Sequence, residues 1–214
     1  CVTRRQRQMC IRDSATAMMD SIPIVCITGQ VPRPAIGSDA FQEMDISGAV
    51  IPVTKHSYLV MEIENLARTI KEAFAIARSG RPGPVLVDIP KDLQAEEFDF
   101  IYPEEPILLP GENPVISDID LNSLEQAASL ISESKRPVIL AGHGILLSGA
   151  SKEVIELSEK GNIPSSWTLL GSGAVPASHH LNMGMMGMHG EFAANNAIQK
   201  ADLLIACGMR FDDR

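Results

Sequence analysis

Cysteine is scarce in this sequence, aromatic side chains are few, and basic charge is outnumbered. Four cysteines, Cys1, Cys10, Cys26 and Cys207, occur in 214 residues. None stands in a CxxC pair and their spacing is too open for a disulfide framework, which fits buried thiols in a reducing compartment. His179, His180, His189 and Cys207 lack the spacing of a zinc site, so no metal ligands are expected among them. Lys and Arg number 18 against 27 Asp and Glu, a formal charge of -9. That balance leaves no basic surface to gather a polyanion and argues against nucleic acid as a partner. No uncharged apolar run approaches the roughly 18 residues of a membrane helix, so a membrane partner is not expected either. What remains, 45% hydrophobic and 21% charged residues, is the composition of an ordinary globular protein of one to two domains, suited to small ligands or protein partners.

Residues 1–14 hold four arginines and one aspartate, and the charge character changes abruptly after them. They read as a non-native leader, with a disordered basic arm as the alternative. Residues 15–21 read as the tail of a helix, so the chain reads as a fragment cut at both ends. Residues 22–28, IPIVCIT, predict a strand buried on both faces of a parallel sheet. The following loop, GQVPRPAIGSDAF, reads as irregular and places Gln30, Arg33, Asp39 and Gln42 just past a strand's carboxyl end, where open α/β sheets bind ligands. Apolar residues at spacings of three and four predict a helix over 62–79, and PVLVDIP a second buried strand over 84–90. The acidic, proline-containing stretch 91–117 has no helical or alternating period and reads as a linker. A second α/β unit, 118–214, starts with Asp118 as a helix cap and Leu121, Leu124, Ala128 and Ile131 on one helix face. Strands over 137–141 and 202–207 and helices near 152–160 and 191–200 complete it. The fold class expected is α/β, with two partial open parallel sheets.

Three clusters carry chemistry. Gly142-His143-Gly144 follows a strand where a dinucleotide fold places its phosphate turn, but the full G-x-G-x-x-G is missing and a tight structural turn explains the glycines equally well. The segment 182–190, NMGMMGMHG, is hard to reconcile with a regular helix or strand. Its methionines suit either an adaptable pocket for a planar ring or a gap-filling core loop. Residues 208–214, GMRFDDR, deliver two arginines and two aspartates to the ligand edge of a sheet, where guanidinium groups suit phosphate or carboxylate. The alternative there is a solvated charge run.

Taken in order, AMMDSIPIVCITGQVPRPAIGSDAFQE, VTKHSYLV, SGRPGPVLVDIPKD, TLLGSGAVP, MGMHG and GMRFDDR resemble the catalytic subunits of the acetolactate synthase family, thiamine diphosphate-dependent enzymes also called acetohydroxyacid synthases. The likeness covers residues 15–214. It implies the end of a pyrimidine-binding domain (15–90), the linker (91–117) and much of a Rossmann-like central FAD-binding domain (118–214). The implied reaction decarboxylates pyruvate and transfers the hydroxyethyl unit to a second 2-keto acid, pyruvate or 2-ketobutyrate, in branched-chain amino-acid synthesis.

By the same resemblance, Phe41 and Gln42 stand at the reaction centre, with Gln42 and Ser21 near thiamine diphosphate, and Lys91 borders the substrate channel. Arg81 contacts FAD from the first domain. Gly142, then Thr168 and Leu169, then Met186, Gly187, Met188 and His189, and finally Gly208, Arg210 and Asp212 form the flavin set. Met188 also faces the substrate, and Arg214 recognises the acceptor's carboxylate. Two departures stand out: His143 interrupts what is often a run of glycines, and Ser38 replaces the usual threonine. The activating glutamate and the magnesium motif lie outside this chain. A homodimer or higher oligomer with a regulatory subunit is implied, in the cytoplasm or, for a eukaryotic host, in a plastid or mitochondrion. The competing readings are another thiamine diphosphate-dependent decarboxylase or carboligase, and a nucleotide-binding module without chemistry of its own.

Overall fold

The computed structural model describes residues 4–109 and 120–211. The chain divides into two units near residue 115. In the first, helix α1 (Arg4–Asp20) leads to strand β1 (Val25–Gln30), and a loop with a 3-10 turn at Arg33–Ala35 leads to helix α2 (Ile46–Val50). Strand β2 (His56–Leu59), helix α3 (Ile63–Arg78) and strand β3 (Val85–Pro90) follow. The sheet is wholly parallel in the order β1-β3-β2.

The central strand β3 is buried along its whole length, as a β-branched run between two layers must be. Its side chains alternate between those layers. Val85, Val87 and Ile89 pack with Ile63, Ala73 and Ala77 of α3, while Leu86 packs with Ile46 and Val50 of α2 and with Ile11 of α1. Helix α3 arises from the apolar spacing of Ile63, Leu66, Ile70, Ala73 and Ala77 and ends at Ser79, whose amide bonds back to Ala75.

Four expectations for this unit change. Strand β1 is an edge strand whose residues alternate between half-buried and exposed, with Ile27 61% exposed, so it is not buried on both faces. It also runs two residues into the stretch read as irregular loop. Helix α1 continues through the charge break at residue 14, where Ser14 is buried. The stretch read as a linker begins inside the unit: Lys91 bonds back to Gln30, and Leu93 in the turn Leu93–Ala95 is fully buried in the α3-side core.

The second unit runs α4 (Leu121–Glu133), β4 (Pro137–Ala141), α5 (His143–Ser148), α6 (Ser151–Gly161), β5 (Ser165–Trp167), β6 (Asn182–Met185), α7 (Phe192–Lys200) and β7 (Leu203–Cys207). Its sheet is also wholly parallel, in the order β6-β5-β4-β7. The core gathers Ile139, Ala141, Ile145, Val154, Ile163, Ala174 and Val175. The chain steps outward from β4 through β5 to β6, then returns to lay β7 on the other side of β4. That reversal between β4 and β7 is the switch point at which open α/β sheets form a ligand crevice.

Asn182–Met185 is a strand, although its methionines and glycine give no alternating pattern. The side chain of Asp120 caps α4 by accepting from the Asn122 amide; Asp118 lies outside the described residues. The apolar face of α4 is not core: Leu121 and Leu124 are exposed, and Ile131 alone of the four residues read as its face packs against the core. No helix among the described residues is long and apolar enough to cross a membrane.

Candidate functional site

In a parallel sheet every strand ends at the same edge, so loops far apart in sequence meet there. In the second unit four loops do so: residues 142–144 after β4, 168–171 after β5, 186–190 after β6 and 208–211 after β7. The Gly142 amide donates to Cys207 O (2.9 Å) and the Gly144 amide to Gly208 O (2.8 Å). A Cβ on Gly142 would lie 2.4 Å from Gly208 O, and one on Gly171 would lie 2.4 Å from Ala141 O. The β4 loop is thus packed backbone to backbone between its two neighbours. Both amides are engaged within the protein, so these glycines serve close packing rather than offering N–H groups to a phosphate.

The other two loops are braced from outside. Thr168 N donates to Ala141 O (3.0 Å), and the Thr168 hydroxyl oxygen accepts from Gly171 N (3.2 Å). Asn195 of α7 accepts from Gly187 N (2.9 Å) and donates to Gly187 O (2.8 Å), and Glu191 N donates to Met185 O (2.8 Å). With its backbone held, this edge leaves apolar side chains unburied. Leu169 is 72% exposed, Met188 87% and Phe211 82%. His143 and Met186 are half-buried, and His189, Gly208 and Arg210 are exposed. Such a rim around a rigid, glycine-crowded floor suits a flat, largely apolar ring. Burial pushes the Cys207 thiol at the foot of the crevice above its usual range, as expected of an inert structural cysteine. Asp212 and Arg214 lie outside the described residues.

In the first unit Phe41, Gln42 and Lys91 follow the carboxyl ends of β1 and β3. Phe41 is 90% exposed, and Gln42 and Lys91 are exposed as well. Gln42 has a φ of 68°, in the left-handed region that glutamine rarely visits, at a cost of about 1 kcal/mol or more. The loop holds this conformation because Glu43 accepts the amides of Gly37 and Ala40, the latter at 2.9 Å. Those amide bonds, Gly37's foremost, keep the Glu43 carboxyl below its ordinary pKa. Ser21 and Arg81 are elsewhere. They precede β1 and β3 and so lie at the opposite edge of the sheet, where Arg81 Nε donates to Ser21 Oγ (2.9 Å) and NH2 donates to Met18 O (2.8 Å) and Met19 O (3.1 Å) at the end of α1. The structure therefore does not bring Ser21 to Gln42.

Asp88, which braces the base of the Phe41–Gln42 loop, is not singled out by the sequence reading. Asp88, 1% exposed, accepts from Thr28 Oγ1 (2.7 Å) and Gln30 Nε2 (3.0 Å). An acidic residue inside the apolar run PVLVDIP was the available signal. Arg33, expected to face a ligand, instead bonds to Asp92, Glu96 and the carbonyl of Met61.

The profile of the thiamine pyrophosphate enzyme central domain matches residues 124–214. The chain is 50% identical over 200 residues to the acetolactate synthase large subunit of Corynebacterium glutamicum, covering 94% of this chain and 32% of that protein. Over 94% of its length the chain is similar to part of an acetolactate synthase large subunit. Escherichia coli K12 isozyme 1 large subunit is 48% identical over 200 residues, covering 94% and 34%, and the chloroplastic acetolactate synthase 2 of Nicotiana tabacum is 48% identical over 203, covering 94% and 30%. The chain spans about a third of the length of these family members. The central-domain match falls on the unit that carries the four-loop crevice, whose sheet is wholly parallel.

Proposed function

We propose that this chain forms part of a thiamine pyrophosphate-dependent carboligase that decarboxylates pyruvate and transfers the hydroxyethyl unit to pyruvate or 2-ketobutyrate. The observation that carries the reading is the convergence of four loops at one sheet edge, three of them bearing a string of the family, with an apolar rim around a rigid, glycine-crowded floor. Thiamine pyrophosphate, when bound, supplies the electron sink that allows a carbon–carbon bond beside a ketone to break. Phe41 offers an exposed ring beside it, Gln42 an amide at a fixed backbone angle, and Lys91 a positive charge for an anionic substrate. Together they orient a 2-keto acid and keep water from one of its faces.

FAD is the ligand assigned to the second unit's crevice, held by Thr168, Leu169, Met186 to His189, Gly208 and Arg210, with Gly142 as part of the floor and without net redox change. Arg81 and Asp212 join this set, Ser21 the thiamine set, and Arg214 the acceptor's carboxylate, on resemblance alone. Magnesium is assigned to ligands outside the described residues. A homodimer with a regulatory subunit, in the cytoplasm or in a plastid, completes the proposal; two of the relatives are named as large subunits and one as chloroplastic.

Leu169→Asp tests the flavin assignment. Leu169 is exposed, so the substitution should leave folding intact, while a carboxylate on an apolar rim should weaken FAD retention about tenfold or more, close to 1.4 kcal/mol. In a protein of the relatives' full length carrying this chain, equal flavin affinity in the variant, read by fluorescence titration, would remove the crevice from the cofactor site.

A further inference from the structure

We propose that Arg33 is a positioning residue that sets the Phe41–Gln42 loop against the Lys91 loop, an inference that rests on the roles assigned above to those three residues. Arg33 lies near the root of the loop 31–44. Its backbone amide donates to Asp92 Oδ1 (3.0 Å) and its Nε to Asp92 Oδ2 (2.7 Å), so one carboxylate is held at both oxygens by one residue. Asp92 is the neighbour of Lys91. From the same guanidinium, NH1 donates to Met61 O (3.0 Å), just after β2, and NH2 to Glu96 Oε2 (2.7 Å). A single side chain therefore ties together the segments that follow all three strands of the sheet.

The loop transmits that placement because it is braced internally. Gln30 Nε2 donates to Met44 O (2.7 Å), closing the loop's base, while Glu43 gathers the amides of Gly37 and Ala40 at its tip and Ser38 Oγ donates to Ala35 O (2.7 Å). A piece so closed moves as a body, and rotation at its root displaces Phe41 and Gln42 relative to Lys91. Arginine is required rather than any cation. The planar fork reaches three acceptors in different directions, whereas a lysine ammonium acts as a point charge and cannot span them. Three of the five N–H donors of the guanidinium are committed within the protein, each to a different segment.

The test uses Arg33→Lys, Asp92→Asn and the double variant. Hydrogen exchange on the full chain should show faster exchange of the residue-33 amide, which donates to Asp92, and of the Lys91 amide, which donates to Gln30 O, in Arg33→Lys, with the core amides of β3 unchanged. In a protein of the relatives' full length, each single variant should lower kcat about 10- to 100-fold through misplacement, with little change in the thiamine pyrophosphate concentration that gives half activity. The double variant should be no worse than the poorer single one, since both break the same link. Unchanged exchange at residues 33 and 91, or multiplicative losses in the double variant, overturns the positioning role. Faster exchange with unaltered kcat overturns instead the assignment of Phe41 and Gln42 to the reaction, and the inference with it.

Discussion

Gly142→Ala should destabilise the second unit by roughly 2 to 3 kcal/mol, the cost of forcing a methyl group into a filled space. The backbone of Gly142 is extended (φ -102°, ψ -179°) and would accept any residue. The obstacle is the neighbour: the new Cβ would lie 2.4 Å from Gly208 O and 2.6 Å from the Cα of Met209. Nothing there can swing aside, since both contacts are backbone and the Gly142 and Gly144 amides fix the register. Gly149→Ala is the control. It has a φ of 71° and open space around it, so it should cost about 1 kcal/mol from conformation alone. Urea unfolding of the full chain reads both, and equal losses would mean that the β4 and β7 loops are not in close contact.

The second large effect is expected at Asp88. Its carboxylate is buried in the central strand and accepts from Thr28 and Gln30. Asp88→Ala removes the acceptor of a half-buried hydroxyl and of one N–H of a half-buried amide, at roughly 1 to 3 kcal/mol in all. Gln30 also carries the loop's base through Met44 O and bonds Val31 N (2.9 Å), so the loss should spread from the core to the loop that bears Phe41 and Gln42. Asp88→Asn keeps the shape and one acceptor but turns an NH2 toward another donor, and should fall between parent and alanine variant. Denaturant midpoints measure the series; an alanine variant as stable as the parent would show that the network contributes nothing.

Particular elements show why part of this was legible in sequence. β4 is a continuous apolar run, β3 is one apart from Asp88, both are flanked by proline and glycine, and α3 carries its period openly, so the wholly parallel layers follow from pattern. Strand β5 does not. Ser165 and Ser166 are buried, and Ser166 Oγ donates to Gly184 O (2.8 Å), so the strand's polar groups are satisfied by its neighbour rather than announced by hydrophobicity. α4 misleads in the opposite sense, with an apolar stripe that the described residues leave exposed. At the site, loops after strands could be placed from sequence because parallel topology brings them to one edge. The same logic, applied strictly, separates Ser21 and Arg81 from Gln42, since they precede their strands. What no local pattern could supply is the Arg33–Asp92 link between residues nearly sixty positions apart in sequence.

Product analysis most directly tests whether the protein of the relatives' full length is a carboligase, as proposed, rather than a simple decarboxylase. A protein of the relatives' full length carrying this chain is incubated with pyruvate, thiamine pyrophosphate, FAD and magnesium, and the products are followed by NMR. Acetolactate should be the principal product, with acetaldehyde minor. Acetaldehyde as the principal product, or turnover only of a keto acid other than pyruvate, would contradict the account and favour another thiamine-dependent decarboxylase or carboligase.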